Sequence, residues 1–280
     1  MTIPTGLLTD FVARYPAQPA TAFFRSIEIE VLADAMRDHV QGVGLDLGCG
    51  DGILTDILFK QIRERPDLIG IDIDPLETEA AAAYPFYRRI HTAPAQAIPE
   101  PDASIDYVVS NSVLEHIPDL DGVIAEVGRV LRPGGRFFFT VPSAEFRDNL
   151  SVDLVGEARV RYLDKLDDRL AHFHYLSASD WHALCGRHGL TVDATDGYLD
   201  YPETRRWETL SNMTGGLLHT LAGGKDRPIE LQRKLKVRQL QNRMRIPRPI
   251  ASAVAHIVRM RMAEEPGQTR QSCLLVTGRR

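Results

Sequence analysis

The feature that most narrows what this chain can fold into is an apolar strand that runs into alternating glycines and then into a helix. It reads Val43-Gly44-Leu45-Asp46-Leu47-Gly48-Cys49-Gly50-Asp51-Gly52, followed by helical periodicity over Ile53–Ile62. A strand, a glycine turn and a helix start in that order make a nucleotide-type site, and the sequence predicts backbone amides facing a ligand from the helix N-terminus. Glycine at 48 and 50 lets the chain turn sharply and come close to that ligand. The spacing discriminates further. A dinucleotide fingerprint, G-x-G-x-x-G, needs glycine at 53, where Ile53 stands. Asp46, just ahead of the glycines, would repel a pyrophosphate but suits a ligand presenting an ammonium group or ordered water.

The run Leu45–Gly52 resembles the first motif of class I S-adenosyl-L-methionine (SAM) dependent methyltransferases, the small-molecule kind of the methyltransferase type 11 group. The resemblance implies that Asp46, Gly48, Cys49, Gly50 and Gly52 hold the donor, with Asp46 orienting its amino acid end. Leu68–Pro75 reads as a buried parallel strand ending in acids, and Asp72 stands about 20 residues past the glycine turn, where a ribose-binding acid is expected. In the family both ribose hydroxyls donate to that carboxylate, with Ile73 beside it. Asp74 is read as the N-cap of the next helix. In the following loop the family usually carries an aspartate against the adenine amine. Pro94 replaces it here, so adenine is left to Ala95 and Gln96.

Ser104–Ile117 predicts a fourth strand, a loop and a helical turn, and delivers Asn111 and Ser112 to the ligand crevice at a strand's carboxyl end. The block through Val113-Leu114-Glu115-His116 resembles the methyltransferase segment flanking the sulfonium. His116 admits two readings: a donor contact or proton acceptor, or a side chain that only bonds a neighbouring carbonyl. Arg132-Pro133-Gly134-Gly135-Arg136 ends the preceding helix, and Phe137–Pro142 is the next strand. His172 and His174, two residues apart, point the same way if extended. They either line the acceptor pocket or form a structural pair. No nearby carboxylate or cysteine cluster is visible to complete a metal site, so none is expected.

The flanks are less constrained. Residues 1–20 read as an irregular or short-helical arm, and residues 21–40 as an amphipathic helix with Glu28 and Glu30 on its polar face. Phe23-Phe24-Arg25 resembles a segment that covers the SAM pocket in related enzymes. Arg25 meets the ligand carboxylate on that resemblance, or is a solvated arginine. Ser143–Leu170 reads as a lid of loops and short helices, and residues 199–270 as a helical insertion before a terminal strand at Ser272–Thr277. The arginines and lysines from Arg227 to Arg261 suit an anionic membrane surface or a phosphorylated substrate, or are a solvated face. Aromatics are not interleaved with them and the net charge is −5, which argues against nucleic acid.

The expected architecture is one α/β domain over 1–280: a doubly wound, mainly parallel seven-stranded Rossmann-like sheet with an N-terminal helical cap and the late insertion. Three separated cysteines and the absence of a leader-like pattern in Met1–Ala20 fit a reducing cytoplasm, with peripheral membrane contact left open. The expected cofactor is SAM, giving S-adenosyl-L-homocysteine (SAH), and the partner a small-molecule acceptor. A nicotinamide-dependent oxidoreductase and a non-catalytic SAM-binding protein are the alternatives. The oligomeric state has no sequence signal.

Overall fold

Seven strands join in the order β3-β2-β1-β4-β5-β7-β6 in the computed structural model, which describes residues 5–16, 18–151, 153–213, 246–259 and 271–280. They are β1 (Val43–Leu47), β2 (Asp67–Asp72), β3 (Tyr87–Thr92), β4 (Ile105–Asn111), β5 (Leu131–Pro142), β6 (Thr191–Tyr198) and β7 (Cys273–Arg279). The first five pair in parallel, while β7 lies antiparallel between β5 and β6. This is the mainly parallel seven-stranded sheet expected from the sequence. Continuous apolar runs explain the central position of β1, β2 and β4, which are buried on both faces. β3 carries Arg88 and Arg89 and sits at the edge, where charge discourages pairing with another chain.

The chain divides into two compact units. One comprises residues 29–146, 171–198 and 271–280; the other comprises 1–28, 147–170 and 199–270. The first contains the whole sheet. Its core joins Leu45, Leu47, Ile71, Val108 and Phe139 of the strands to Val123, Ile124 and Val127 of helix α5 (Leu120–Val130) and to Trp181 and Leu184 of helix α7 (Ala178–Arg187). Helices α3 (Ile53–Ile62) and α4 (Pro75–Ala81) follow β1 and β2.

Asp74 caps α4 as expected, by accepting from the Leu76 amide, and Ser177 caps α7 in a reciprocal box with Asp180. The turn expected at 132–136 is absorbed into β5 as a bulge: Ile105 pairs with Leu131 and Tyr107 already with Arg136. Gly134 supplies the left-handed backbone there, at φ +77°.

In the second unit, α1 (Thr5–Arg14) packs on α9 (Arg248–Arg259), joined by an Arg248–Asp10 ion pair at 3.0 Å. Residues 143–170 do not form only loops and short turns, because α6 (Gly156–Leu170) is a full helix whose Leu163 and Leu166 are buried. Helix α8 (Tyr201–Ser211) places Glu208 under Ser151, whose amide donates to it at 3.0 Å. Helix α2 (Pro19–Met36), of which residues 19–28 belong to this unit, starts and ends earlier than expected and contains Phe23–Arg25. Glu28, assigned by periodicity to the polar face, is buried.

Candidate functional site

The glycine turn is held from two sides. The Gly48 and Cys49 amides both donate to the Ile71 carbonyl, at 2.8 and 3.0 Å, fixing the turn to the end of β2. The Gly50 amide donates to Asp72 Oδ2 at 2.9 Å, and the Asp74 amide donates to Asp72 Oδ1 at the same distance. The Gly52 amide donates to the Cys49 carbonyl, and the Ile53 amide to Asp51 Oδ1. This corrects the expectation that these amides face a ligand: the turn spends them on its own construction. What it offers instead is shape.

The three glycines serve different ends. Gly48 has φ +79°, and a Cβ there would come within 2.4 Å of Val113. Gly52 has φ +76°, and its added Cβ would meet Tyr84 at 2.8 Å. These two are required by the protein's own packing. Gly50, at φ +52°, has room for a side chain: the nearest atom to an added Cβ would be Glu77 Oε2, 4.0 Å away. Gly50 is therefore the position at which a ligand can lie directly on the backbone, beside Asp72.

Asp46 lies beneath this turn, 5% exposed, and its Oδ2 accepts from Thr55 Oγ1 at 2.6 Å and from the Tyr87 hydroxyl. Burial pushes its carboxyl up to about 6, outweighing the two hydrogen bonds that favour the anion, and nearby Asp72 adds to the rise. Asp72 is raised too, chiefly by burial, with the Asp74 and Gly50 amides opposing. Cys49 is buried, and burial followed by the charges of Asp46 and Asp72 raises its thiol, so it presents no thiolate. Sequence reasoning missed Thr55 and Tyr87. Tyr87 had no signal, since only strand pairing brings it across to β1's acid.

On the other side of the turn, β4 ends in Asn111, whose Nδ2 donates to Thr140 Oγ1 at 3.1 Å, and Ser112, whose amide donates to the Thr140 carbonyl at 3.0 Å. Ser112 has φ +47°, a strained backbone for a residue with a side chain and one that recurs at functional loops. Next comes a single helical turn, Leu114–His116, in which Glu115 is buried and His116 exposed. Residues 171–175 lie on that turn. The Phe173 amide donates to the Glu115 carbonyl at 2.8 Å, and His174 Nε2 to the Ile117 carbonyl at 2.9 Å.

His116 Nδ1 donates to the Ala171 carbonyl at 3.0 Å, the carbonyl bond of its structural reading, yet its ring also lies 5.1 Å from that of His172. His172 in turn packs against Phe146 and Tyr175. The expectation that no carboxylate lies near the histidine pair is corrected. Glu115 shares a cluster with His116 and His172, because the turn after β4 and the segment before α7 meet only in the folded chain.

Ile73 is 74% exposed directly after Asp72. Ala95 is partly buried against the core, with half-buried Gln96 next to it, in a loop closed by the Ala97 amide donating to the Pro94 carbonyl. Arg25 is not simply a solvated arginine: its Nη1 pairs with buried Glu28 at 2.5 Å, and it lies in the unit that does not contain the sheet. Of the basic run, residues 227–245 and 260–261 lie outside the described residues. Among the described residues no helix is long and apolar enough to cross a membrane.

A family model described as a methyltransferase domain matches residues 18–195. A probable S-adenosylmethionine-dependent methyltransferase of Mycolicibacterium smegmatis is 38% identical over 100 residues, 35% of this chain and 37% of that protein. A ubiquinone biosynthesis O-methyltransferase of Pseudomonas fluorescens is 29% identical over 178 residues, 60% of this chain and 73% of the relative. Among solved structures, an S-adenosylmethionine dependent methyltransferase from Mesorhizobium loti superposes with a TM-score of 0.52 at 17% identity, covering 89% of this chain and 95% of that one. The cyclase SpnF gives 0.55 at 15% identity, covering 89% and 80%. The match to the mycobacterial relative spans little more than a third of that protein's length.

Proposed function

We propose, for a chain that belongs to the methyltransferase-domain family, that it moves the methyl group of SAM onto a nucleophilic oxygen, nitrogen or carbon of a small molecule. The observation that carries this reading is the open face of Gly50 beside Asp72, a backbone cradle at the carboxyl ends of β1 and β2. Asp72 already holds two amides, one on each oxygen, and a carboxylate has about four lone-pair sites, which leaves it able to accept ribose hydroxyls as well. Exposed Ile73 and half-buried Gln96 supply an apolar surface and a polar group for adenine. Asn111, Ser112 and His116 stand at the end of β4, where the methyl group would be presented.

Bound SAM supplies an activated electrophile, so the chain's task is mainly to hold the acceptor in line. Orientation of that kind can contribute about 7–11 kcal/mol. His116, His172 and His174 are the side chains available to take a proton; His116 Nδ1 and His174 Nε2 donate to the Ala171 and Ile117 carbonyls, so in each neutral ring the opposite nitrogen is the acceptor. A nicotinamide cofactor is disfavoured by the buried Ile53, which fills the place of the fingerprint's third glycine.

The test is to incubate the full chain with methyl-labelled SAM and cell extract and to trace the label. A labelled small molecule supports the reading and identifies the acceptor. Intact SAM with no labelled product contradicts it and leaves a SAM-binding protein. The basic run over 227–261 supports an anionic or lipid-linked acceptor. Neutralising Arg233, Lys234 and Lys236 is expected to abolish liposome sedimentation if the run docks on membranes, or to lower turnover if it grips the acceptor; no effect on either removes this part of the proposal.

A further inference from the structure

We infer that Glu115, His116 and His172 form a site for a divalent transition-metal cation at the carboxyl end of β4. One ligand atom from each residue can be chosen so that all three lie within 4.8 Å of one another. A single ion with ligands at about 2.0–2.2 Å fits inside such a triangle after small side-chain rotations. His116 Nε2 is 3.9 Å from Glu115 Oε1, and the two imidazole rings are 5.1 Å apart.

One nitrogen of each ring is already held by a neighbouring oxygen. The Ala171 carbonyl can only accept, so His116 carries its proton on Nδ1, which leaves Nε2 as the lone-pair nitrogen of the neutral ring. His172 Nδ1 lies 3.0 Å from the Tyr175 hydroxyl, and a metal on Nε2 selects the tautomer in which Nδ1 donates to that oxygen. Orientation of a ligating histidine through its other nitrogen is the usual second layer of a metal site.

The surroundings fit the same reading. The Glu115 side chain is only 3% exposed, and a dication beside it would bring the positive charge that favours a carboxylate taken out of water. Ala171 is held at φ +57°, a strained backbone in the residue that orients one histidine and precedes the other. Two imidazoles and one carboxylate favour zinc, cobalt, iron or manganese over magnesium or calcium, which prefer oxygen ligands alone. Three protein ligands also leave coordination positions open to an oxygen of the acceptor. That role rests on the methyl-transfer reading; the binding itself does not.

The experiment is a titration of the EDTA-treated full chain with Co²⁺, followed by its visible absorption band and by calorimetry, with SAH affinity measured on the same samples. One Co²⁺ per chain is expected, displaced by Zn²⁺. Affinity should fall at least about tenfold in Tyr175→Phe, the smallest loss typical of an outer partner. The fall should be larger in Glu115→Gln and in the double variant His116→Ala/His172→Ala, with no change in His182→Ala, an exposed histidine on α7. No Co²⁺ band in the wild-type chain, or a band undiminished in the double variant, overturns the inference and leaves Glu115 and His116 as an ion pair. SAH binding without Co²⁺ binding sinks the metal site alone, whereas Co²⁺ binding without SAH binding sinks the donor reading alone. Any variant with a lowered melting temperature is replaced by Glu115→Asp or His172→Gln, so that loss of fold is not mistaken for loss of a ligand.

Discussion

The two sides of the crevice are built in opposite ways. The glycine turn takes its residues from one continuous stretch, 46–53, and its outside supports, Ile71 and Asp72, come from the adjacent strand of the same β-α-β unit. The cluster of Glu115, His116 and His172 joins two segments more than fifty positions apart, fastened by the Phe173, His174 and His116 hydrogen bonds. A site made of local geometry is visible in sequence and breaks through the backbone. A site made of tertiary contact is hidden in sequence and should break through single side chains.

The largest expected effect lies on the local side. Gly48→Ala would put a Cβ 2.4 Å from Val113 at φ +79°, adding backbone strain of about 1–2 kcal/mol to overpacking of about 1–3 kcal/mol. Denaturant unfolding should therefore show a loss of about 2–5 kcal/mol. Gly50→Ala, with open space around it, should lose only about 1–2 kcal/mol of stability while weakening SAH binding at least about tenfold. If the two variants behave alike, the division of labour between these glycines is wrong.

Next is the acid beneath the turn. Because Asp46 is raised from 3.8 to about 6 in the folded chain, the folded state holds its proton more tightly than the unfolded one. The stability it contributes is fully present below about pH 4 and is lost as pH rises through about 6. At about 1.4 kcal/mol per pH unit the change is about 3 kcal/mol. Asp46→Asn keeps an acceptor for Thr55 and Tyr87, and its unfolding free energy should lack that slope between pH 4 and 6. An unchanged slope would mean that Asp46 is not the group responsible.

Asp72→Asn comes third, at about 1.5–3 kcal/mol, because an amide nitrogen would face the Gly50 or Asp74 amide in place of a charged acceptor. It should also weaken SAH binding, which calorimetry would read directly. The smallest effect belongs to the distant side: Ser177→Ala removes the cap of α7 and should cost about 1 kcal/mol, leaving both SAH and Co²⁺ affinity unchanged. A change in Co²⁺ affinity there would show that the 171–175 segment depends on the helix behind it.

The same contrast explains what could be read in advance. The order of strands and helices followed from apolar runs and turn residues, and Asp72, Asp74 and the glycines followed from spacing along one unit. The direction of the turn's amides did not, because it depends on the Ile71 carbonyl, which only sheet register brings into place. Tyr87 reaches Asp46 across two strands for the same reason. Glu28 was assigned to solvent because periodicity marks a polar residue without showing that Arg25 shields it. Glu115 was legible as part of a motif, but its proximity to His172 required the loop before α7 to fold back onto the turn after β4.

The central claim, that the open glycine beside Asp72 receives SAM, is tested most directly by titrating the full chain with SAH and with NADH in a calorimeter and repeating the titration on Gly50→Val. The account predicts one SAH site per chain, no heat from NADH, and loss of the SAH site in the variant. Absence of SAH binding at millimolar concentration, tighter binding of NADH, or undiminished SAH affinity in Gly50→Val would contradict it.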